Sequence, residues 1–242
     1  MTPDEAAIAT APGISTITSL YMLDGATYRQ GVEDGFSGFD FYVAGRGGVL
    51  GEVDSDVVAS AFVFFEPGTV RTNWESGRKV RGAAGAAQLW ADALHRWGED
   101  RVPADLDAAR LAELAGRVVD GASVSGAPLF AGWRRLPLPS SPAALAVHHL
   151  NGLRELRGGL HGGAVLASGL RPLEAVLVRQ PHMAAIFGWA EPYPDVSGLA
   201  DRWPQADAGT DRAIAPAFAG LDDAERAELA ELVGALHAAT SS

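Results

Sequence analysis

Residues 141–170 read SPAALAVHHLNGLRELRGGLHGGAVLASGL. Ser141 and Pro142 together mark a helix start. The serine hydroxyl can cap free backbone N–H groups, and a proline at the first helical position gives up no hydrogen bond. Beyond them Leu145, Leu153 and Leu156 keep to one side of the helix, with His149 beside them. His148, Asn151 and Glu155 stand at i, i+3 and i+7 and form a polar stripe on another side. The helix is expected to end at Gly158-Gly159, and a second, glycine-broken helix to run through Leu166. The glycine pairs flanking His161 let the backbone approach a ligand or another helix closely.

Helical signals continue on both sides of this run. Residues 1–13 read as a loose terminus. ISTITSLYML (14–23) fits either a strand or a buried helix, since short apolar runs do not separate the two. Asp24 caps a short helix ending near Gly35, and Ser37 is placed to cap FDFYVAGRG, with Arg46 near its terminal carbonyls. Asp54 or Ser55 caps VVASAFVFF, which reads as buried all round and is broken by Pro67. Two more helices follow, one carrying Val70 and Trp74 and one over 82–98, where His95 lies at the edge of the apolar face. Leu111, Leu114 and Val118 mark the next buried stripe. The Pro-, Gly- and Ser-rich segment 120–142 is an ordered connector. Further helices are expected over Pro172–Arg179, after a cap at Thr210 or Asp211, and after the Asp222/Glu225 capping box, with 190–208 irregular. The expected fold is all-α, a multi-helical bundle: an N-terminal helical subdomain over 1–135 and a helix-turn-helix-like subdomain over 136–242, packed as one unit.

Composition narrows the chemistry. The chain has 242 residues, 48% hydrophobic and 20% charged, with a net charge of −11 and no cysteine. Disulfides, thiolate metal sites and a cysteine nucleophile are thereby excluded. The negative charge disfavours a phosphate backbone as partner. No run reads as membrane-spanning and the N-terminus lacks a basic signal region, so no membrane partner and a cytoplasmic location are expected. Gly45-Arg46-Gly47-Gly48 lacks the lysine and the strand context of a phosphate loop. No nucleophile elbow and no HExxH occurs, and nothing calls for a cofactor.

The candidate catalytic residues are His148, Glu155 and His161, because a histidine beside a carboxylate can move protons at neutral pH. The same three are N/O donors for a divalent metal, but their spacing matches no metal signature, and no metal site is assigned. Candidate ligand-binding residues are Tyr42, Arg46, Asn151, Arg157, His182 and Trp189. The plainer alternative is that Arg154, Glu155 and Arg157 are solvated charges and the histidines are packing residues.

Four segments, FYVAGRGGVLG (41–51), LRELRGGLHGGAVLASGL (153–170), FGW (187–189) and TDRA (210–213), resemble the SalK-like helix-turn-helix family of actinobacteria. The likeness runs from about residue 15 to 236. It implies a helical N-terminal half and a winged-helix-like segment over about 158–205. Where that family carries His-Arg-Gly-Asp-Gly-His, this chain has Leu156-Arg157-Gly158-Gly159-Leu160-His161, so Arg157 and His161 match while the first histidine and the aspartate are replaced. For reading bases, segment 182–203 offers only Arg202, with Gln205 just beyond.

The expected function is small-molecule binding on a degenerate helix-turn-helix scaffold, with an apolar or aromatic ligand held between the two halves near Arg46, His148, His161 and Trp189. The alternatives are an enzyme of specialised metabolism using histidine–Glu155 acid–base chemistry without an organic cofactor, and a DNA-binding regulator. The sequence is silent on oligomeric state.

Overall fold

A computed structural model describes residues 1–241 as twelve α-helices and two short 3-10 turns, with no strand among the described residues. The fold is the all-α bundle that the helical periodicities call for. Its hub is α8 (Pro142–Ala167). Ser141 caps α8 and Pro142 opens it as expected, but the helix does not stop at Gly158-Gly159. It runs unbroken for 26 residues, about 39 Å at the α-helical rise.

Packing explains this continuity. A Cβ on Gly159 would lie 2.7 Å from Ala127 Cα and 2.8 Å from the Gly126 carbonyl oxygen, and one on Gly162 would lie 2.8 Å from a Val63 methyl. These glycines are contact points for neighbouring chain, and what they cost in helix propensity is offset by close packing. Gly158 and Gly163 face open space. The helix ends at Gly169, whose φ of +80° is the left-handed conformation glycine adopts freely. There Gly169 N–H donates to Leu166 O and Leu170 N–H to Val165 O, at 3.0 and 3.2 Å, a Schellman cap. Pro172 then starts α9 (Pro172–Arg179).

Helix α1 (Pro3–Leu23) corrects two readings at once. The terminus is not loose, because Thr2 and Glu5 form a capping box. The β-branched run is helical, because Ala6, Thr10, Ile14, Ile17, Thr18 and Tyr21 all fall on one buried face. Thr10 and Thr18 return their hydroxyls to the carbonyls of Ala6 and Ile14, at 2.8 and 2.7 Å, so no polar group is stranded on that face. Tertiary burial thus overrides β propensity. By length and composition alone α1 could also cross a membrane. Half of its apolar window is nevertheless buried inside the protein, where it packs against α8 and α12 (Asp223–Thr240).

Asp24 caps α2 (Gly25–Glu33) as expected. Ser37 sits one residue too early to cap α3 (Phe39–Gly47): Gly38 holds the cap position, and Ser37 donates its N–H and hydroxyl to the Asp40 carboxylate. Asp54 caps α4 (Ser55–Ala61), which stops short of the phenylalanines, so residues 62–65 form a turn in place of the buried helix read from the sequence. α5 (Pro67–Arg101) joins the two helices expected there and breaks at Gly82, φ +69°, where Ala83 N–H donates to Glu52 Oε1 at 2.6 Å. α6 (Ala108–Gly121) presents Leu111, Leu114 and Val118 inward, and α7 (Pro128–Trp133) lies within the connector. After α9 come α10 (Met183–Ile186) and α11 (Arg202–Ile214). α11 begins eight residues before the Thr210 cap proposed from sequence, so Thr210 and Asp211 lie inside it. Residues 190–201 are irregular. The largest core cluster runs from Ala6 to Leu236, with α8 packed against α1, α5, α6, α7 and α11.

The glycines of α8 provide a direct test. Gly159→Ala and Gly162→Ala are expected to destabilise by about 1–3 kcal/mol through overpacking, while Gly158→Ala and Gly163→Ala gain up to about 1 kcal/mol from helix propensity. Chemical denaturation of the four variants checks the pattern, and equal effects at all four would mean that α8 is not packed this way.

Candidate functional site

The stripe expected to be a polar face is buried. His148 and Asn151 are each 1% exposed and Glu155 is 4% exposed. Helix α3 delivers the partner for Glu155. Arg46 Nε donates to Glu155 Oε1 and Arg46 Nη2 to Oε2, both at 2.9 Å, a two-pronged ion pair across 109 residues of sequence. Arg46 therefore turns inward and does not sit at its helix's terminal carbonyls. Its Nη1 donates to the Tyr42 hydroxyl at 2.6 Å, and its guanidinium lies 4.7 Å from the Phe62 ring centroid. Arg154 Nη1 adds a third bond to Glu155 Oε1 at 2.9 Å. Burial opposes both charges of the pair, but each partner outweighs it: Arg46 is held above its usual range by Glu155, and Glu155 below its usual range by Arg46 and then Arg154. Both stay ionised at neutral pH.

This ion pair lies in the wall of an open cleft of about 520 Å³. Phe39, Tyr42, Phe62, Phe65 and Phe187 supply an aromatic side, their rings packed at centroid distances of 4.3 to 6.1 Å. Leu23 and Ile186, 79% and 61% exposed, lie at its edge. Along α8 the cleft passes Arg154, Glu155, Arg157, Gly158 and His161. Arg157 pairs with Asp211 at 2.7 Å. His161 Nδ1 lies 2.8 Å from Thr210 Oγ1. Thr210 donates its own proton to Ala206 O, so its oxygen accepts from Nδ1–H and the ring's Nε2 is left as an acceptor. Phe64 and Trp203 flank the ring.

Of the residues singled out from sequence, Tyr42, Arg46, Glu155, Arg157 and His161 line this cleft. His148, Asn151, His182 and Trp189 lie outside its lining. His148 Nδ1 meets His95 Nε2 at 3.0 Å, beside Trp133 and His149. Neither amide atom of Asn151 has a hydrogen-bond partner among the described residues. His182 is exposed. Trp189 donates to Phe64 O at 2.9 Å, which fastens the α10 segment to the turn after α4. Glu155 is bonded to arginines and to neither histidine. Among the described residues no three His, Asp or Glu groups stand close enough to hold a metal ion. Arg154 and the phenylalanines of the aromatic wall are not among the residues singled out from sequence, although three phenylalanines within residues 62–65, just before Pro67, are a visible signal.

The buried histidines are expected to make the fold acid-sensitive. Burial, reinforced by His95 and His149, pushes His148 down to about 3. Burial is also the leading cause that lowers His95, His149 and His161. Such a histidine holds fewer protons folded than unfolded below its unfolded value of about 6.5. Its effect is absent above that pH, and stability is lost as pH falls from about 6.5 toward the folded value. The melting temperature should be level from about pH 8 to 7 and fall from about pH 6.5 to 5, before most carboxylates titrate, with His148→Asn reducing the slope. A level profile across that window in the wild type would contradict the burial of these rings.

A profile described as a helix-turn-helix family matches residues 9–207. No curated protein and no solved structure matches the chain. With most of its length covered by that one profile, the chain belongs to this helix-turn-helix family.

Proposed function

We propose that this family member is a soluble, cytoplasmic small-molecule-binding protein whose ligand occupies the cleft between α1, α3, the turn at 62–65, α8 and α10. The observation that carries this reading is the cleft itself. Its volume of about 520 Å³ falls within the roughly 300–1,000 Å³ typical of ligand pockets, and it combines aromatic walls with a few fixed polar groups. The aromatic rings would take an apolar body, while Tyr42, Arg154 and His161 Nε2 offer directional contacts. The ion pair under them holds the wall rigid, which favours binding by lowering the ordering cost. Segments 41–51 and 153–170 support placing the chain near the SalK-like actinobacterial branch of the family.

The neutral fluorophore N-phenyl-1-naphthylamine tests this reading. It should bind at one site with enhanced fluorescence and raise the melting temperature. Ser19→Trp, which fills the cleft from α1 at a half-buried position, should abolish binding without unfolding the protein. Binding unchanged in that variant would place the site elsewhere.

Family membership also favours a second reading, DNA binding through the α8–turn–α9 corner. Against it, residues 158–205 carry three arginines and four carboxylates, which gives no net attraction for phosphate. Duplex affinity that is weak and nearly independent of salt is expected, and tight binding with a steep salt slope would reverse the order of the two readings.

A further inference from the structure

The charge balance of the cleft narrows the ligand's chemistry, on the reading that the cleft is a binding site. The chain as a whole carries −11, yet Arg46 and Arg154 share one carboxylate, Glu155, in the cleft wall. This three-residue cluster has one positive charge left over, and it sits on Arg154; the other carboxylate of the lining, Asp207, acts on His161, and Arg157 is paired with Asp211. Arg46 is 8% exposed, with both carboxylate contacts and the Tyr42 contact already made. Arg154 is 25% exposed and lines the cleft. Its one hydrogen bond among the described residues runs through Nη1 to Glu155, so its remaining N–H groups are free to meet a ligand. Tyr42 accepts from Arg46 through its oxygen and makes no donor contact among the described residues, so its O–H can donate into the same corner. A guanidinium with free donors beside a phenol donor, facing aromatic rings, suits a planar anion on an apolar body.

We infer that the cleft selects apolar carboxylic acids, with the ligand's carboxylate held by Arg154 and Tyr42 and its hydrocarbon or aromatic body against Phe39, Phe62, Phe65 and Phe187. Binding the acid neutralises the cluster's surplus charge and fills the free N–H donors of Arg154, and an uncharged analogue of the same shape leaves that charge uncompensated in a half-buried wall. Selection is therefore against the neutral analogue as well as for the acid.

The test is displacement of N-phenyl-1-naphthylamine by two matched pairs, 4-phenylbutanoate against 4-phenylbutanamide and 1-naphthylacetate against 1-naphthylacetamide, at pH 7.5. Each acid should compete roughly tenfold or more better than its amide. Arg154→Met should remove that preference while the neutral fluorophore still binds, and Arg154→Lys should restore part of it. Acids and amides competing equally in the wild type would overturn the carboxylate inference and leave the cleft as a binding site. An acid preference that survives Arg154→Met would overturn the assignment to Arg154. Failure of the fluorophore and all four compounds to bind would overturn the binding reading itself. The wild-type comparison decides the matter even if the Arg154 variants fail to fold.

Discussion

The buried pair of Arg46 and Glu155 is the contact on which the rest of this structure depends. It joins α3 to α8 through two hydrogen bonds of 2.9 Å, with side chains 8% and 4% exposed. Taking two charges out of water is costly, and a buried pair is tolerable only when geometry is good and the remaining donors and acceptors are met. Here Tyr42 and Arg154 meet them. A pair of apolar residues would do the structural task with less risk. The charged pair stands instead in the wall of the cleft, with its hydrogen bonds completed by Tyr42 and Arg154.

The pair can form only because neighbouring backbone comes close. Gly45 lies on Trp90, Gly47 on Val58 and Gly48 against the Ala83 carbonyl, so α3 sits deep against α5 and presents Arg46 inward. On α8, Gly159 and Gly162 admit the Gly126-Ala127 backbone and Val63 in the same manner. Val63 belongs to the turn whose phenylalanines face the cleft. Glycine thus acts twice to bring aromatic walls up to a polar helix face. The segments that carry the family resemblance, 41–51 and 153–170, contain these glycines and the ion pair together.

Much of the helical architecture could be read from local signals. The Ser141-Pro142 start, the Asp24 and Asp54 caps and the Asp222/Glu225 box all cap helices in the structure. These signals are local because a cap involves only residues within one turn. The errors arose where a distant contact decides. ISTITSLYML has β propensity, but its burial against α8 and α12 fixes it as helix. The glycines of α8 look like breaks until Ala127 and Val63 are seen packed on them. The site was legible in its residue types and not in its pairings: His148, Asn151 and Glu155 share a face as spacing requires, but the partner of Glu155 lies 109 residues away. No periodicity reports such a contact.

The most direct measurement is a double-mutant cycle on the pair, with Arg46→Met, Glu155→Leu and both together, read by denaturant unfolding. Glu155→Leu leaves the buried Arg46 without a carboxylate and Arg46→Met leaves the buried Glu155 with Arg154 alone; each should cost about 3–5 kcal/mol, while the double variant, with both charges removed, should cost far less than the sum. Additive losses, or single losses below about 1 kcal/mol, would contradict the view that this one ion pair organises the bundle and its cleft.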